Sequence, residues 1–166
     1  MPLHQFSPEA KRFLKQAKSG FNISIYFLKN LPSAWWWGLR LKHADEHKCE
    51  VTIPFNWRTQ NPFRSIYFAA MAGAGEFSTG ILASVARKGR GNISMLVTEQ
   101  KMQFVKKANT VVTFTCEDSQ KVLATVEAAA KTGEAQKVWM KSVGRNTEGE
   151  VVANFEIEWS FKKRGK

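Results

Sequence analysis

A single carboxylate stands inside a long uncharged stretch of this chain. Residues 65–86, SIYFAAMAGAGEFSTGILASVA, contain Glu76 near the middle, with Arg64 before the stretch and Arg87 and Lys88 directly after it. A carboxylate among apolar residues either pairs with a neighbouring lysine or arginine, or faces space that another molecule can approach. Glu76 is therefore the first candidate for a functional residue.

The surrounding stretch favours a buried helix over a membrane span. A carboxylate at the centre of a span costs about 3 kcal/mol, and three glycines disfavour a lone span further. At about 100° per residue, the face around Glu76 carries only small residues, whereas the opposite face carries bulky ones. The small face comprises Ser65, Ala69, Ala72, Gly73, Thr79, Gly80 and Ala83, and the bulky face Tyr67, Met71, Ile81, Leu82 and Val85. The bulky face is predicted to pack on a sheet, and the small face to leave room beside Glu76.

The start of this helix is a second candidate site. Pro62 excludes helix at Asn61, so the helix is predicted to begin near Ser65. The first free amides of a helix form an anion or oxyanion site. Glu76 lies about ten residues further on, roughly 15 Å along the axis. If the amides and the carboxylate act together, the carboxylate must come from a second copy of the chain.

Periodicity predicts the elements that position these residues. Helices are predicted at 7–18, capped by Ser7, and at 22–29. Strands are predicted at 35–42, 49–55, 93–107 with a bulge near 99–101, 112–116, 138–145 and 151–161, and a further helix at 118–132. Such cleanly alternating strands favour an antiparallel sheet. The prediction is an α+β fold, with a curved antiparallel sheet of six strands around one long central helix.

Length and composition predict one domain over residues 1–166. It divides into an N-terminal helical segment 1–33, a core 34–162 and a basic tail 163–166. The net charge of +11 suggests an anionic partner, although a solvated basic surface accounts for it equally well. Cys49 and Cys116 occupy apolar strand positions, so we expect buried free thiols. The first residues lack the pattern of an export signal, and a cytoplasmic location is expected.

The spacing of three residues resembles a known family. Asn61, then Tyr67 at the helix start, then Glu76, all after a strand hairpin, resemble the hotdog-fold acyl-CoA thioesterases of the phenylacetate-type (PaaI-like) group. More narrowly, NWRTQNPFRSIYFAAMAGAGEFSTG, residues 56–80, is similar to the hotdog branch known as domain-of-unknown-function family 4442. The order of elements agrees from about 34 to 161. The resemblance implies a homodimer, or a dimer of dimers, whose sheets join and whose active sites lie between subunits.

The resemblance also implies roles for individual residues. Glu76 would be the base or nucleophile acting on the thioester, and Asn61 would position the attacking water or the carbonyl. The amides of Tyr67 and Phe68 would polarise the carbonyl. The phenylacetate-type enzymes carry His-Gly-Gly where this chain has Tyr67-Phe68-Ala69. A thioesterase, and a hotdog protein that holds an acyl ligand without turning it over, are therefore both open.

The substrate implied is an acyl thioester of coenzyme A or of a carrier protein. The phosphates of coenzyme A suit a basic rim, for which the candidates are Arg58 and Arg64 near the helix start and Arg87, Lys88 and Arg90 before the third strand. Apart from coenzyme A as part of the substrate, no cofactor, no metal and no membrane partner are expected. The acidic residues, histidines and cysteine at 43–49 cross a hairpin turn and point in different directions.

A nucleic-acid binder is the remaining alternative. Trp35, Trp36 and Trp37, interleaved with Arg40, Lys42 and Arg58, could stack bases on a basic surface. The competing interpretation is that alternate tryptophans fill the core and Trp36 packs under the N-terminal helices. Because a nucleic-acid binder has no use for Glu76, this partner is less expected than an acyl thioester.

Overall fold

A computed structural model describes residues 5–17 and 20–165. The helices are α1 (Pro8–Ala17), α2 (Gly20–Asn30), α3 (Pro32–Trp37), α4 (Phe68–Ala86) and α5 (Ser119–Thr132). The strands are β1 (Arg40–Ala44), β2 (Cys49–Ile53), β3 (Ile93–Phe104), β4 (Val112–Cys116), β5 (Gln136–Arg145) and β6 (Val151–Lys163). The six strands form one antiparallel sheet in the order β1-β2-β4-β5-β6-β3, curved around the long helix α4 in the hotdog arrangement.

Several local predictions are confirmed. The Ser7 hydroxyl accepts a hydrogen bond from the Ala10 amide at 3.1 Å and so caps α1. The predicted bulge in β3 is a register shift between Val97 and Glu99. Cys49 and Cys116 are buried, free and opposite each other on β2 and β4. Lys18, the predicted last residue of the first helix, and Lys166 of the predicted tail lie outside the described residues.

The predicted strand at 35–42 is wrong in its first half. Residues 32–37 form the short helix α3, with Pro32 in its first turn, and Gly38 ends it in the left-handed conformation at φ 73°. Trp35 and Trp36 are exposed, so the prediction that alternate tryptophans fill the core, with Trp36 under the N-terminal helices, holds only for Trp37, which is half-buried against the core. A run that is apolar at every position satisfies a strand period and a helix period equally.

Helix α4 is the core helix of the fold. By length and composition it could cross a membrane, but most of it is buried inside the protein. The prediction that its bulky face packs on the sheet holds only in part. At Gly75 the helix presents no side chain, and the ring of Phe155 from β6 fills the place that a Cβ would take. Gly73 packs in the same way against the Trp37 ring. Several of the close contacts to α4 therefore come from aromatic rings of its neighbours.

We predict that Gly75→Ala destabilises the protein by about 1–3 kcal/mol, because the new methyl group overlaps the Phe155 ring. Helix propensity alone would give the opposite sign, a gain of about 1 kcal/mol. Gly80→Ala is the matched control, since its methyl group would lie 3.3 Å from its nearest neighbours and should cost less. Urea unfolding of the three proteins measures the difference. Equal stability of both variants and the parent would contradict this packing.

Candidate functional site

Glu76 lines a cavity of about 450 Å³ between α4 and the N-terminal helices. Its walls are mainly apolar and come from α1, α2 and the segment after it, α4, β3 and β6. Apolar residues of the wall include Phe13, Ala17, Ile23, Leu31, Phe77, Ile81, Met95 and Trp159. Phe27 of α2 packs edge-on against Phe77 of α4, with ring centroids 4.7 Å apart, and holds α2 on this side of the helix. The predicted room beside Glu76 is therefore present, with the N-terminal helices forming one wall.

The Glu76 carboxylate has no hydrogen-bond or ion-pair partner within residues 5–17 and 20–165. Burial in these apolar surroundings raises the pKa of Glu76 to about 6. The sequence left open a pairing of Glu76 with a lysine or arginine, and the described part of the chain contains no such pair. Glu76 is thus a carboxylate whose pKa lies near neutral pH and which lines a cavity, a combination typical of functional sites.

Neighbouring polar groups are already satisfied by one another. The indole Nε1 of Trp159 donates to Thr79 Oγ1 at 2.9 Å, and Thr79 Oγ1 donates to the backbone oxygen of Glu76 at 2.8 Å. A Cβ built on Gly80 would lie 3.3 Å from both Glu76 Oε1 and the Trp159 ring, so the carboxylate and the ring meet above this glycine. The indole donor beside the carboxylate is thus used elsewhere.

Two of the predicted basic residues line the same cavity. Arg87 donates from one terminal nitrogen to the Ile93 carbonyl at 3.1 Å, and its buried Nε has no partner among the described residues. Lys88 lies over the Phe13 ring, 5.0 Å from its centre. These side chains give one end of the apolar cavity a positive rim.

The guanidinium of Arg90 is committed to the fold. It forms an ion pair with Glu127 at 2.6 Å and donates to the backbone carbonyls of Ala86 and Gln5. These contacts connect α4, α5 and the chain before α1. Arg90 is accordingly a weaker candidate for phosphate binding than Arg87 or Lys88.

Helix α4 begins at Phe68, three residues after the start that the sequence predicted near Ser65. The backbone at Ile66 and Tyr67 is extended, because the Ile66 amide donates to the Ala108 carbonyl at 2.8 Å and the Tyr67 amide to the Thr59 carbonyl at 2.7 Å. These two amides, which a helix beginning near Ser65 would leave free, are therefore occupied, and the predicted role of the Tyr67 amide falls to a later residue of the chain. The amides of Phe68 and Ala69, in the first turn, have no acceptor among the described residues. An oxyanion site at this helix would be built from the second pair.

Asn61 lies in the loop before α4. Its Oδ1 accepts hydrogen bonds from the backbone amides of Phe63 and Ser65, at 3.0 and 3.2 Å, and from the Ser65 hydroxyl at 3.2 Å. Its Nδ2 group has no acceptor within the described ranges. Asn61 is thus held by its oxygen, with the amide nitrogen left to donate to another molecule.

An open groove contains Asn61, Tyr67 and Phe68 and runs to the end of β3 at Phe104. Glu76 does not line this groove. Along α4, Phe68 and Glu76 are eight residues apart, about 12 Å. Within one chain, the residues at the start of α4 and the Glu76 carboxylate therefore lie in different places, as their spacing in the sequence predicted.

The predicted basic rim is divided in the same way. Arg58 and Arg64 belong to the loop before α4, where the Arg58 guanidinium lies 5.9 Å from the centre of the Trp36 ring. Arg87 and Lys88 lie just past the other end of the helix. Within residues 5–17 and 20–165, no group of three or more histidine, cysteine, aspartate or glutamate side chains is placed to hold a metal ion.

The apolar walls of the Glu76 cavity were not predicted from the sequence. Phe13, Ile23 and Leu31 belong to the N-terminal segment, which the sequence separated from the core. A signal was available, since Ile23 and Phe27 recur at helical spacing and give α2 an apolar face that can pack on the core.

Solved structures share this fold at low sequence identity. A protein of unknown function from Chlorobaculum tepidum superposes with a TM-score of 0.73 and 14% identity, covering 87% of this chain and 97% of that one. A thioesterase from Haemophilus influenzae gives 0.66 and 13%, covering 98% and 96%. A variant of a thioesterase from Pseudomonas aeruginosa gives 0.61 and 13%, covering 98% and 99%. These likenesses establish a hotdog fold.

Sequence comparison identifies the family more narrowly. No curated protein matches the chain. One family model matches residues 22–161, a range that includes Glu76, the cavity wall from Ile23 onwards and the groove at the start of α4. The chain belongs to the family described as a domain of unknown function, DUF4442.

Proposed function

We propose that this protein hydrolyses acyl thioesters at sites formed between two subunits. The observation that carries the proposal is the unpaired Glu76 carboxylate, with its pKa raised to about 6, in an apolar cavity. The thioesterase descriptions of the Haemophilus and Pseudomonas structures that share the fold support the same reaction class. A base with a pKa just below neutral pH is ionised under working conditions and still accepts a proton effectively.

In the proposed reaction, Glu76 takes a proton from a water molecule as the water oxygen attacks the thioester carbonyl carbon. The carbonyl becomes a tetrahedral oxyanion, which the free amides of Phe68 and Ala69 from the other subunit stabilise. The carbon–sulfur bond then breaks. The thiolate leaves with the proton that Glu76 had taken, and the products are a carboxylic acid and a free thiol. The free Nδ2 of Asn61 donates to the carbonyl oxygen or orients the water.

The dimer is proposed to form through β3. This strand pairs with β6 on one side only and is the edge of the sheet, twelve residues long. Unpaired amides and carbonyls along such an edge are a template for another strand. It exposes Leu96, Met102 and Phe104, and its end borders the groove that contains Asn61 and Phe68. Pairing two copies here would bring the groove of each chain close to the other chain.

The acyl group is proposed to occupy the Glu76 cavity. Its mainly apolar walls suit a hydrocarbon chain, and its volume of about 450 Å³ lies in the usual range of small-molecule sites. Arg87 and Lys88 at its rim, and Arg58 and Arg64 from the partner's loop, are the candidates for the phosphates of coenzyme A or phosphopantetheine.

A protein that binds acyl thioesters without hydrolysing them is the second candidate. The side chains of Tyr67 and Phe68 are both exposed at the helix start and stack edge-on at 4.8 Å, where the phenylacetate-type enzymes carry His-Gly. These rings narrow the approach to the amides of the first turn. Tight binding without thiol release would favour this candidate.

We predict thiol release from a panel of short, long and aromatic acyl-coenzyme A substrates, and a loss of about 100-fold or more in kcat for Glu76→Gln, because the amide cannot accept the proton. Glu134→Gln, which changes an exposed carboxylate of the α5–β5 loop, is the matched control and should retain full activity. A thiol-reactive chromophore measures the rates. Undiminished turnover by Glu76→Gln would remove the catalytic role of this residue.

The same carboxylate should lower the stability of the fold above its pKa. In the folded protein Glu76 binds its proton more tightly than in the unfolded chain, so stability falls as pH rises from about 4.5 to about 6 and then stays reduced. A shift of this size corresponds to about 2 kcal/mol. Glu76→Gln should therefore raise the free energy of unfolding at pH 8 by about this amount, and by little at pH 4. Urea unfolding at both values tests this, and an equal gain at both would contradict the burial of the charge.

Light scattering should give a mass of twice 18.8 kDa, or a multiple of that dimer. Leu96→Glu and Met102→Glu together place like charges along the proposed β3 interface and should release monomers that have lost turnover. Val111→Glu, at an exposed apolar residue before β4, is the control and should leave the dimer intact. A monomeric parent with full thioesterase activity would rule out the shared site.

A further inference from the structure

The N-terminal helices carry an exposed apolar surface that the proposed thioesterase site does not use. Its members are large side chains of α2, α3 and the loop after β2, here called the α2–α3 patch: Ile25, Leu28, Trp35, Trp36 and Trp57. Leu28 is 53% exposed, Trp36 47% and Trp57 71%. The Trp36 and Trp57 rings meet at right angles with centroids 5.5 Å apart. Exposed apolar residues gathered in this way mark interaction surfaces.

Helix α2 is apolar on the side that faces away from the core. Its buried side chains are Ile23 and Phe27, and Phe27 packs against α4. Ile25 and Leu28 lie on the opposite side at helical spacing, together with Lys29. A helix at the surface of a water-soluble domain normally carries polar residues there. The outer face of α2 therefore suits contact with a surface that offers apolar groups next to charged ones.

The stretches of sequence that carry the patch are basic. The sequence has no acidic residue between Glu9 and Asp45, nor between Glu50 and Glu76. These two stretches include all five members of the patch and, among the residues that the structure describes, eight basic ones: Lys11, Arg12, Lys15, Lys29, Arg40, Lys42, Arg58 and Arg64. Arg58 lies directly over the Trp36 ring. The surface therefore complements an anionic partner.

The nearest acidic side chains in sequence belong to the β1–β2 hairpin and offset part of this positive charge. Glu46 pairs with Lys11 at 3.2 Å, and Glu50 pairs with Lys48 at 2.6 Å and with Lys42 at 3.8 Å. Arg12, Lys15, Lys29, Arg58 and Arg64 take part in none of these ion pairs, so the two stretches keep a net positive charge.

The patch lies away from the edge proposed for the dimer. Helix α2 packs against β1, and Trp57 follows β2, so both belong to the β1 end of the sheet. The proposed subunit edge, β3, is the last strand at the opposite end. A dimer formed through β3 gives no reason for the α2–α3 patch to be covered.

We propose that the α2–α3 patch docks onto the surface of an anionic lipid bilayer. Tryptophans beside arginine and lysine, with aliphatic side chains among them, are the composition of segments that lie in the membrane interface. Basic residues near such a segment are attracted to anionic headgroups. Nucleic acid fits less well, because Ile25 and Leu28 offer no stacking surface for bases.

This proposal differs from the expectation of no membrane partner, which rested on the improbability of α4 as a span. Surface docking needs no span, because only the side chains of the patch enter the headgroup region. It also does not depend on the thioesterase reaction, so the two proposals can fail separately.

The test is flotation of the full chain with vesicles of phosphatidylcholine, with and without phosphatidylglycerol. We expect binding to the anionic vesicles that weakens as salt is raised, and little binding to the neutral ones. Tryptophan emission should shift to the blue and be quenched by lipids brominated on the acyl chain. Absence of both flotation and quenching with anionic vesicles would overturn the proposal without using any variant.

Leu28→Ser with Trp36→Ser should lower the partition onto anionic vesicles by about tenfold or more, since two large apolar side chains are removed from the interface. Val111→Ser, at an exposed apolar residue outside the patch, should bind as the parent does. Circular dichroism confirms folding. Equal vesicle binding by the double variant and the parent would overturn the proposal. A change in the light-scattering mass of the double variant relative to the parent would overturn it in favour of a second copy of the chain. Binding of the parent to a dT oligonucleotide in place of vesicles would overturn it in favour of a nucleic acid.

Discussion

The closeness of α4 to the aromatic rings around it is the constraint on which the rest of this structure depends. Gly75 receives Phe155, and Gly80 lies beneath Trp159. Glycine within a helix costs about 1 kcal/mol relative to alanine, so the helix gives up intrinsic stability in order to be approached closely. Glu76 sits between these two glycines in sequence. Its environment follows from the approach of the rings, and the cavity beside it lies over Gly80, Ser84, Phe77 and Ile81 of α4.

The isolation of the carboxylate has a specific physical cause. Trp159 is the aromatic residue beside Glu76, and it carries a single donor, the indole N–H, which Thr79 already accepts. Thr79 in turn donates to the backbone of Glu76 and not to its side chain. The local donors are thereby satisfied in a way that leaves the carboxylate unpaired. A buried carboxylate without a partner in the fold lowers the stability of the folded state. We therefore attribute Glu76 to ligand binding or catalysis and not to stabilisation of the fold.

Most of the architecture could be predicted from the sequence, because clean alternation and recognisable caps specify the strands after α4 and the helices α1 and α5. The failures occurred where the pattern is ambiguous. The run Trp35–Trp37 is apolar at every position, and only Pro32 and Gly38 indicate a helix. Ile66 and Tyr67 were assigned to α4, yet tertiary hydrogen bonds to Thr59 and Ala108 keep them extended. Contacts between residues distant in sequence decided these positions, and periodicity does not record them.

The candidate site was predictable in its residues but not in its surroundings. The spacing of Asn61 and Glu76 indicated that one chain separates them, and the groove and the cavity are indeed different places in the chain. The walls of the cavity depend on how α1 and α2 dock, which involves apolar residues that no local pattern assigns to α4. Under the two proposals made above, α2 has a double role. Its inner face, with Ile23 and Phe27, supports the cavity, and its outer face, with Ile25 and Leu28, meets the lipid. Because both faces belong to one helix of eleven residues, any shift of α2 at a membrane surface would also move the wall of the Glu76 cavity.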